Sequence, residues 1–94
     1  MRVIEVDGSK WTTPLDFILA IGEAVGARHP VTNVNALLEY MVWDWEGMGG
    51  IEPPYVVRVI NAASIPTEVQ SEIALVASLI KESQGGHLEV VLEF

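Results

Sequence analysis

Tyr55-Val56-Val57-Arg58-Val59-Ile60 decides how this chain folds. The run is rich in β-branched residues, has the length of one strand, and follows the break made by Pro53-Pro54. Val57 and Val59 fall on one side and Arg58 on the other, which gives the strand a dry face and a wet face. Two further segments repeat the alternation. Ile4 and Val6 oppose Glu5 near the start, and Leu88, Val90 and Leu92 oppose Glu89 and Glu93 in the stretch from Leu88 to Phe94. Helical patterns rather than two-residue turns separate the three strands, so they are expected to run parallel with right-handed crossovers. The predicted fold class is α/β: a two-layer domain with a three-stranded parallel sheet and helices packed on one face. With the strands as neighbours, Arg58 would sit between Glu5 and Glu89 on the wet face.

Working outward, Asp7-Gly8 marks a turn, and Thr13-Pro14-Leu15-Asp16 reads as a helix start. Thr13 is the cap, Pro14 suits the first helical position, and Asp16 is the acid of a capping box. Apolar residues carry this first helix to Gly26. A connecting loop with His29-Pro30 follows, and Asn33 or Thr32 caps a second helix. Val34, Leu37, Leu38, Met41 and Trp45 mark its buried stripe, and it is predicted to continue unbroken until Gly47-Met48-Gly49-Gly50. Asn35 and Glu39, four apart, share a different face. A third helix is predicted from about Pro66 to Ser83, on a stripe of Val69, Ile73, Val76 and Ile80, with Gln84-Gly85-Gly86 ending it.

Ninety-four residues, half of them hydrophobic, read as a single domain spanning 1–94. Thirteen acids against five Lys and Arg give a formal charge of -8. Such a balance disfavours nucleic acid and anionic membrane as partners, since both need clustered cations. A basic protein would be steered toward this chain instead, although acidity also serves solubility alone. No Lys or Arg lies between Arg28 and Arg58, a region that holds Glu39, Asp44, Glu46, Glu52 and two tryptophans. The absence of cysteine removes disulfides, thiolate metal sites and cysteine nucleophiles, and fits the cytoplasm. Residues 1–10 read as strand and turn rather than a signal peptide. There is no P-loop, no GxGxxG and no H-E-x-x-H, and the two histidines are far apart. The expectation is therefore no enzyme, no cofactor and no metal.

Asn33-x-Asn35-Ala36-Leu37-x-Glu39, preceded by the His29 loop, together with Gly86-x-Leu88-x-Val90-Val91-Leu92 and the order of elements, resembles the barstar family. Members are intracellular inhibitors of secreted bacterial ribonucleases, and their second helix with its preceding loop plugs the enzyme's active site. The resemblance implies an immunity protein whose Glu39 takes the pocket meant for the scissile phosphate. A carboxylate makes short, charge-assisted bonds to the Arg, Lys and His that bind phosphate. It implies further contacts from His29, at an aromatic position, from Asn33 in the binding loop, and from Glu46 at the acidic rim. Asn35 stands where the family has an acid, and Lys81 reverses the sign of another. The stretch from Glu46 to Pro54 is richer in Gly and Pro than the family's link, and Asn61 to Ile65 is too short for the family's extra small helix.

Trp43 and Trp45 cannot both face the core, because adjacent helical residues point roughly 100° apart. Trp45 fits the buried stripe. Trp43 either meets a partner or tucks under the Gly-rich loop, and Tyr40 is equally open. The expected partner-binding set is His29, Asn33, Asn35, Glu39, Trp43 and Glu46. The expected partner is a basic protein, a ribonuclease, bound by a chain that is monomeric when free. The alternative is a barstar-like module redirected to a different toxin or cellular regulator.

Overall fold

The computed structural model describes residues 2–81 and 85–91. Three strands, β1 (Arg2–Asp7), β2 (Tyr55–Ile60) and β3 (Gly86–Val90), form one parallel sheet in the order β1-β2-β3. Helix α1 (Pro14–Ala24), α2 (Val34–Leu38), a π turn (Glu39–Trp43) and α3 (Trp45–Met48) all lie in the first crossover, and α4 (Thr67–Lys81) makes the second. The three-stranded parallel α/β architecture expected from the alternation is the one observed. The expected strand and helix tails at 92–94 and 82–83 fall outside the described residues.

The sheet register places Glu5 opposite Arg58 and Arg58 opposite Glu89. Arg58 pairs with both, through Nε to Glu89 Oε1 at 2.9 Å and through Nη1 to Glu5 Oε2 at 3.6 Å. These pairs raise the guanidinium's pKa, chiefly through the Glu89 hydrogen bond. On the opposite face Tyr55, Val57, Val59 and Leu88 are buried against the helical layer. Val69, Ile73, Val76 and Ile80 supply α4's contribution to the same core, on the stripe read from its spacing. Val90 departs from the pattern. It shares the side of Leu88, yet it is exposed, at the edge of an open groove that it lines with Ile65 and with Gln70 and Ile73 of α4.

Helix α1 starts on the capping box its sequence predicts. The Asp16 N–H donates to Thr13, and the Asp16 carboxylate accepts from the Thr12 and Thr13 N–H groups. Those bonds stabilise the charged form and hold the Asp16 pKa below its ordinary value. At the other end the Ala27 N–H reaches back to the Gly22 carbonyl, with Gly26 at φ 97°. Trp11 is a core residue that the periodicity does not reveal. It meets the Phe17 ring edge to face at 5.4 Å, and its ring packs so close to Gly8 that a Cβ there would stand 3.1 Å from it.

The loop between α1 and α2 is pinned by one residue. Val31 is buried and crosses α1 at Gly22, where any Cβ would stand 2.8 Å from the valine. This close approach explains a glycine inside a helix, where its entropy is otherwise unfavourable. It also fixes where α2 begins. The Asn33 side chain accepts the Ala36 N–H at 2.8 Å and so caps α2 in the expected manner.

The second helix does not run unbroken to Gly47, and here the structure corrects the reading from spacing. After Leu38 the chain widens into the π turn, with the Asp44 N–H reaching back five residues to the Glu39 carbonyl. The Tyr40 carbonyl, which would accept from Asp44 in an α-helix, accepts instead from the Ile51 N–H at 3.1 Å. The Met41 carbonyl accepts from the Tyr55 hydroxyl at 2.9 Å. Two donors from distant segments thus take the place of regular helix bonds. No propensity within residues 34–46 reports them.

Candidate functional site

All six residues expected to meet a partner are exposed: His29, Asn33, Asn35, Glu39, Trp43 and Glu46. They do not form one equivalent set. Asn35, Glu39 and Trp43 stand at four-residue spacing on the outer side of α2 and the π turn, opposite the buried Leu37, Leu38 and Met41. Trp43 is 60% exposed, which makes it the most exposed of the large hydrophobic side chains among the described residues. It does not tuck under the Gly-rich loop. Tyr40, by contrast, is buried on the core side.

Helix geometry aligns the row. In an α-helix a four-residue step overshoots a full turn by about 40°, so two such steps would rotate Trp43 about 80° away from Asn35. The wider π turn falls short of a full revolution in four residues and takes back much of that drift. Asn35, Glu39 and Trp43 are therefore brought closer to a single line than a regular helix would allow.

Asn33 and Glu46 flank this row differently. The Asn33 side-chain oxygen is committed to the cap, which leaves its amide nitrogen to face outward. Glu46 lies on the four-residue α3, where Asp44 precedes it and Trp45 is only half-buried. The Trp45 position on a continuous buried stripe fails because the π turn resets the helical phase. His29 is exposed in the loop beside Arg28 and Glu23, at the rim of a shallow recess with Leu19 and Pro30. It is separated in sequence from the row by the buried Val31, which anchors the loop to α1.

The electrostatics of the segment are one-signed. Glu39, Asp44, Glu46 and Glu52 are all exposed, and residues 29–57 contain no Lys or Arg. The cations that bound it in sequence are Arg28 on the loop side and Arg58 in β2. Lys81 is exposed in the last turn of α4 and borders a separate groove with Ser78 and His87. Among the described residues no group of three or more His, Cys, Asp or Glu is placed to hold a metal ion. Among the described residues no helix is long and apolar enough to cross a membrane.

Sequence reasoning missed the residues that hold this surface from behind. Gly50 packs so closely on the Tyr40 carbonyl that a Cβ there would collide with it. Ile51 and Tyr55 are fully buried. Burial pushes the Tyr55 phenol up to about 12, so it stays a neutral donor toward Met41. A lone isoleucine amid Gly50, Glu52 and Pro53 was the available signal that the loop is tied to the core. The chain matches no known protein-family model, no curated protein and no solved structure.

Proposed function

We propose that this chain is a barstar-like inhibitor, an immunity protein that binds a basic bacterial ribonuclease and occludes its active site. The observation that carries the reading is the exposed row Asn35–Glu39–Trp43, set in a stretch with four exposed acids and no cation. An exposed tryptophan beside a carboxylate is the composition of a binding hot spot, with one group for buried contact and one for charge. Glu39 supplies the anionic probe that enters a phosphate pocket, and Trp43 packs on the pocket's margin. Asn33 and Asn35 add neutral hydrogen bonds, and Glu46 and His29 lie toward the periphery. The protein acts by occupation rather than by catalysis, needs no cofactor, works as a monomer and is placed in the cytoplasm.

A ribonuclease assay tests this directly. RNA cleavage by a basic bacterial ribonuclease should stop as the chain approaches a one-to-one ratio. Undiminished cleavage across a panel of such enzymes would exclude the inhibitor reading.

A second reading has its own support. Asn35 and the exposed Lys81 stand where the resembled family carries acids, so two negative charges of the family's pattern are absent here. A barstar-like module redirected to a different toxin or a cellular regulator fits that change. Pull-down with the wild-type chain, compared with its Glu39→Ala and Trp43→Ala variants, identifies a partner specific to this face.

A further inference from the structure

We propose that Tyr55 and the Gly50–Ile51 backbone are the positioning elements of the docking surface: they hold the π turn, and through it the phase of Trp43 relative to Asn35 and Glu39. The inference rests on the docking reading for its purpose, though its geometry stands apart from any partner.

Three features converge on the turn. Asp44 bonds to Glu39 rather than Tyr40, which is the defining connection of the wider turn. That shift frees the carbonyl of Tyr40, and the Ile51 N–H takes it at 3.1 Å. The Met41 carbonyl is taken by the Tyr55 hydroxyl at 2.9 Å. Both donors come from fully buried residues. A buried donor without an acceptor is costly, so each bond resists a return to the α-helical pattern. Gly50 permits the approach, because a side chain there would strike the Tyr40 carbonyl. π turns inside helices frequently accompany functional sites. Here the consequence is specific: the buried side of the turn is locked, and its outer side carries Trp43 at 60% exposure.

The loop from Gly49 to Pro54 thereby acquires a role. It is a strap that carries Ile51 into the core and donates to the turn from behind. Tyr55, at the first position of β2, couples the same turn to the central strand of the sheet. A surface held from two independent segments loses little freedom on docking.

The test compares wild type with Tyr55→Phe and Gly50→Ala by nuclear magnetic resonance. Tyr55→Phe keeps the ring in the core and removes only the donor. We expect the through-bond coupling between the Asp44 amide and the Glu39 carbonyl to weaken or pass to Tyr40. The Ile51 amide should exchange about tenfold faster while Val57 and Val59 in β2 keep their rates. An unchanged Asp44 coupling and unchanged Ile51 exchange in Tyr55→Phe would overturn the proposal. So would a uniform acceleration of all core amides, which is the mark of a merely structural role. If Gly50→Ala does not fold, Tyr55→Phe decides alone. A basic bacterial ribonuclease provides the second readout. Tyr55→Phe should weaken its binding about tenfold, and that loss should vanish in a Trp43→Ala background. Equal losses in both backgrounds would contradict positioning through Trp43. Failure of the wild type to bind the ribonuclease would remove the functional reading, while the amide data would still decide the positioning role.

Discussion

Arg58 holds Glu89 at 2.9 Å but Glu5 at 3.6 Å, so the charge ladder across the open sheet face is asymmetric. The guanidinium Nε points into the β3 side, and only a terminal nitrogen reaches β1. Glu89→Ala should therefore lower thermal stability more than Glu5→Ala. Both losses should be small, since the pairs are solvent-accessible, and both should shrink in high salt. Thermal melts at two salt concentrations check this, and equal losses for the two variants would contradict the asymmetry.

Tyr55 makes stability fall at alkaline pH. Its folded pKa is raised to about 12 by burial, above the ordinary phenol value of 10.0. A group raised in the folded state contributes fully below its unfolded pKa, and the contribution is lost as pH climbs through the folded one. The window is thus about pH 10 to 12. Denaturant melts across it should show a decline that Tyr55→Phe lessens. At neutral pH the same variant should cost about 1 kcal/mol, the scale of one hydrogen bond.

The start of α1 should govern part of the acid limit. Asp16 has a lowered pKa from its bonds to the Thr12 and Thr13 amides, and Asp7 has one from the Ser9 amide. A lowered carboxylate stabilises the fold above its unfolded value near 3.8, and that stabilisation is lost as pH falls through the folded value. Asp16→Asn should flatten stability below about pH 4, as read from melts against pH. Thr13→Ala should remove about 1 kcal/mol and keep most of the acid dependence, because the Thr12 and Thr13 amides, the largest causes of the lowered Asp16 pKa, remain.

The sheet and its ladder were legible because one strand carries its message locally. Val57, Arg58 and Val59 announce two faces, and Glu5 and Glu89 fall on the same wet side by the same alternation. The α1 cap was legible for a similar reason, with every partner lying within four residues. The π turn was not, because its donors come from Ile51 and Tyr55, well outside the helix they reshape. Trp11 was missed because its burial comes from packing on Phe17 and Gly8 rather than from any period. In the candidate site, exposure of Asn35, Glu39 and Trp43 follows from the buried stripe opposite them. Their alignment does not, since it depends on the phase change at Glu39.

Long-range charge should set the rate of docking. With a formal charge of -8 and no cation in residues 29–57, association with a basic ribonuclease should be fast at low salt and slow steeply as salt is added. Stopped-flow association across an ionic-strength series measures it. A rate independent of salt would mean that the acids of this segment take no part in encounter.

Calorimetric titration of a basic bacterial ribonuclease with wild type and Glu39→Ala measures whether Glu39 anchors the bound enzyme. Glu39 is exposed and on the outer side of the helix, so its truncation leaves the buried core in place. One-to-one binding by the wild type is expected, with a loss of more than roughly 2 kcal/mol, about thirtyfold in affinity, in the variant. Equal affinities for the two proteins would contradict it.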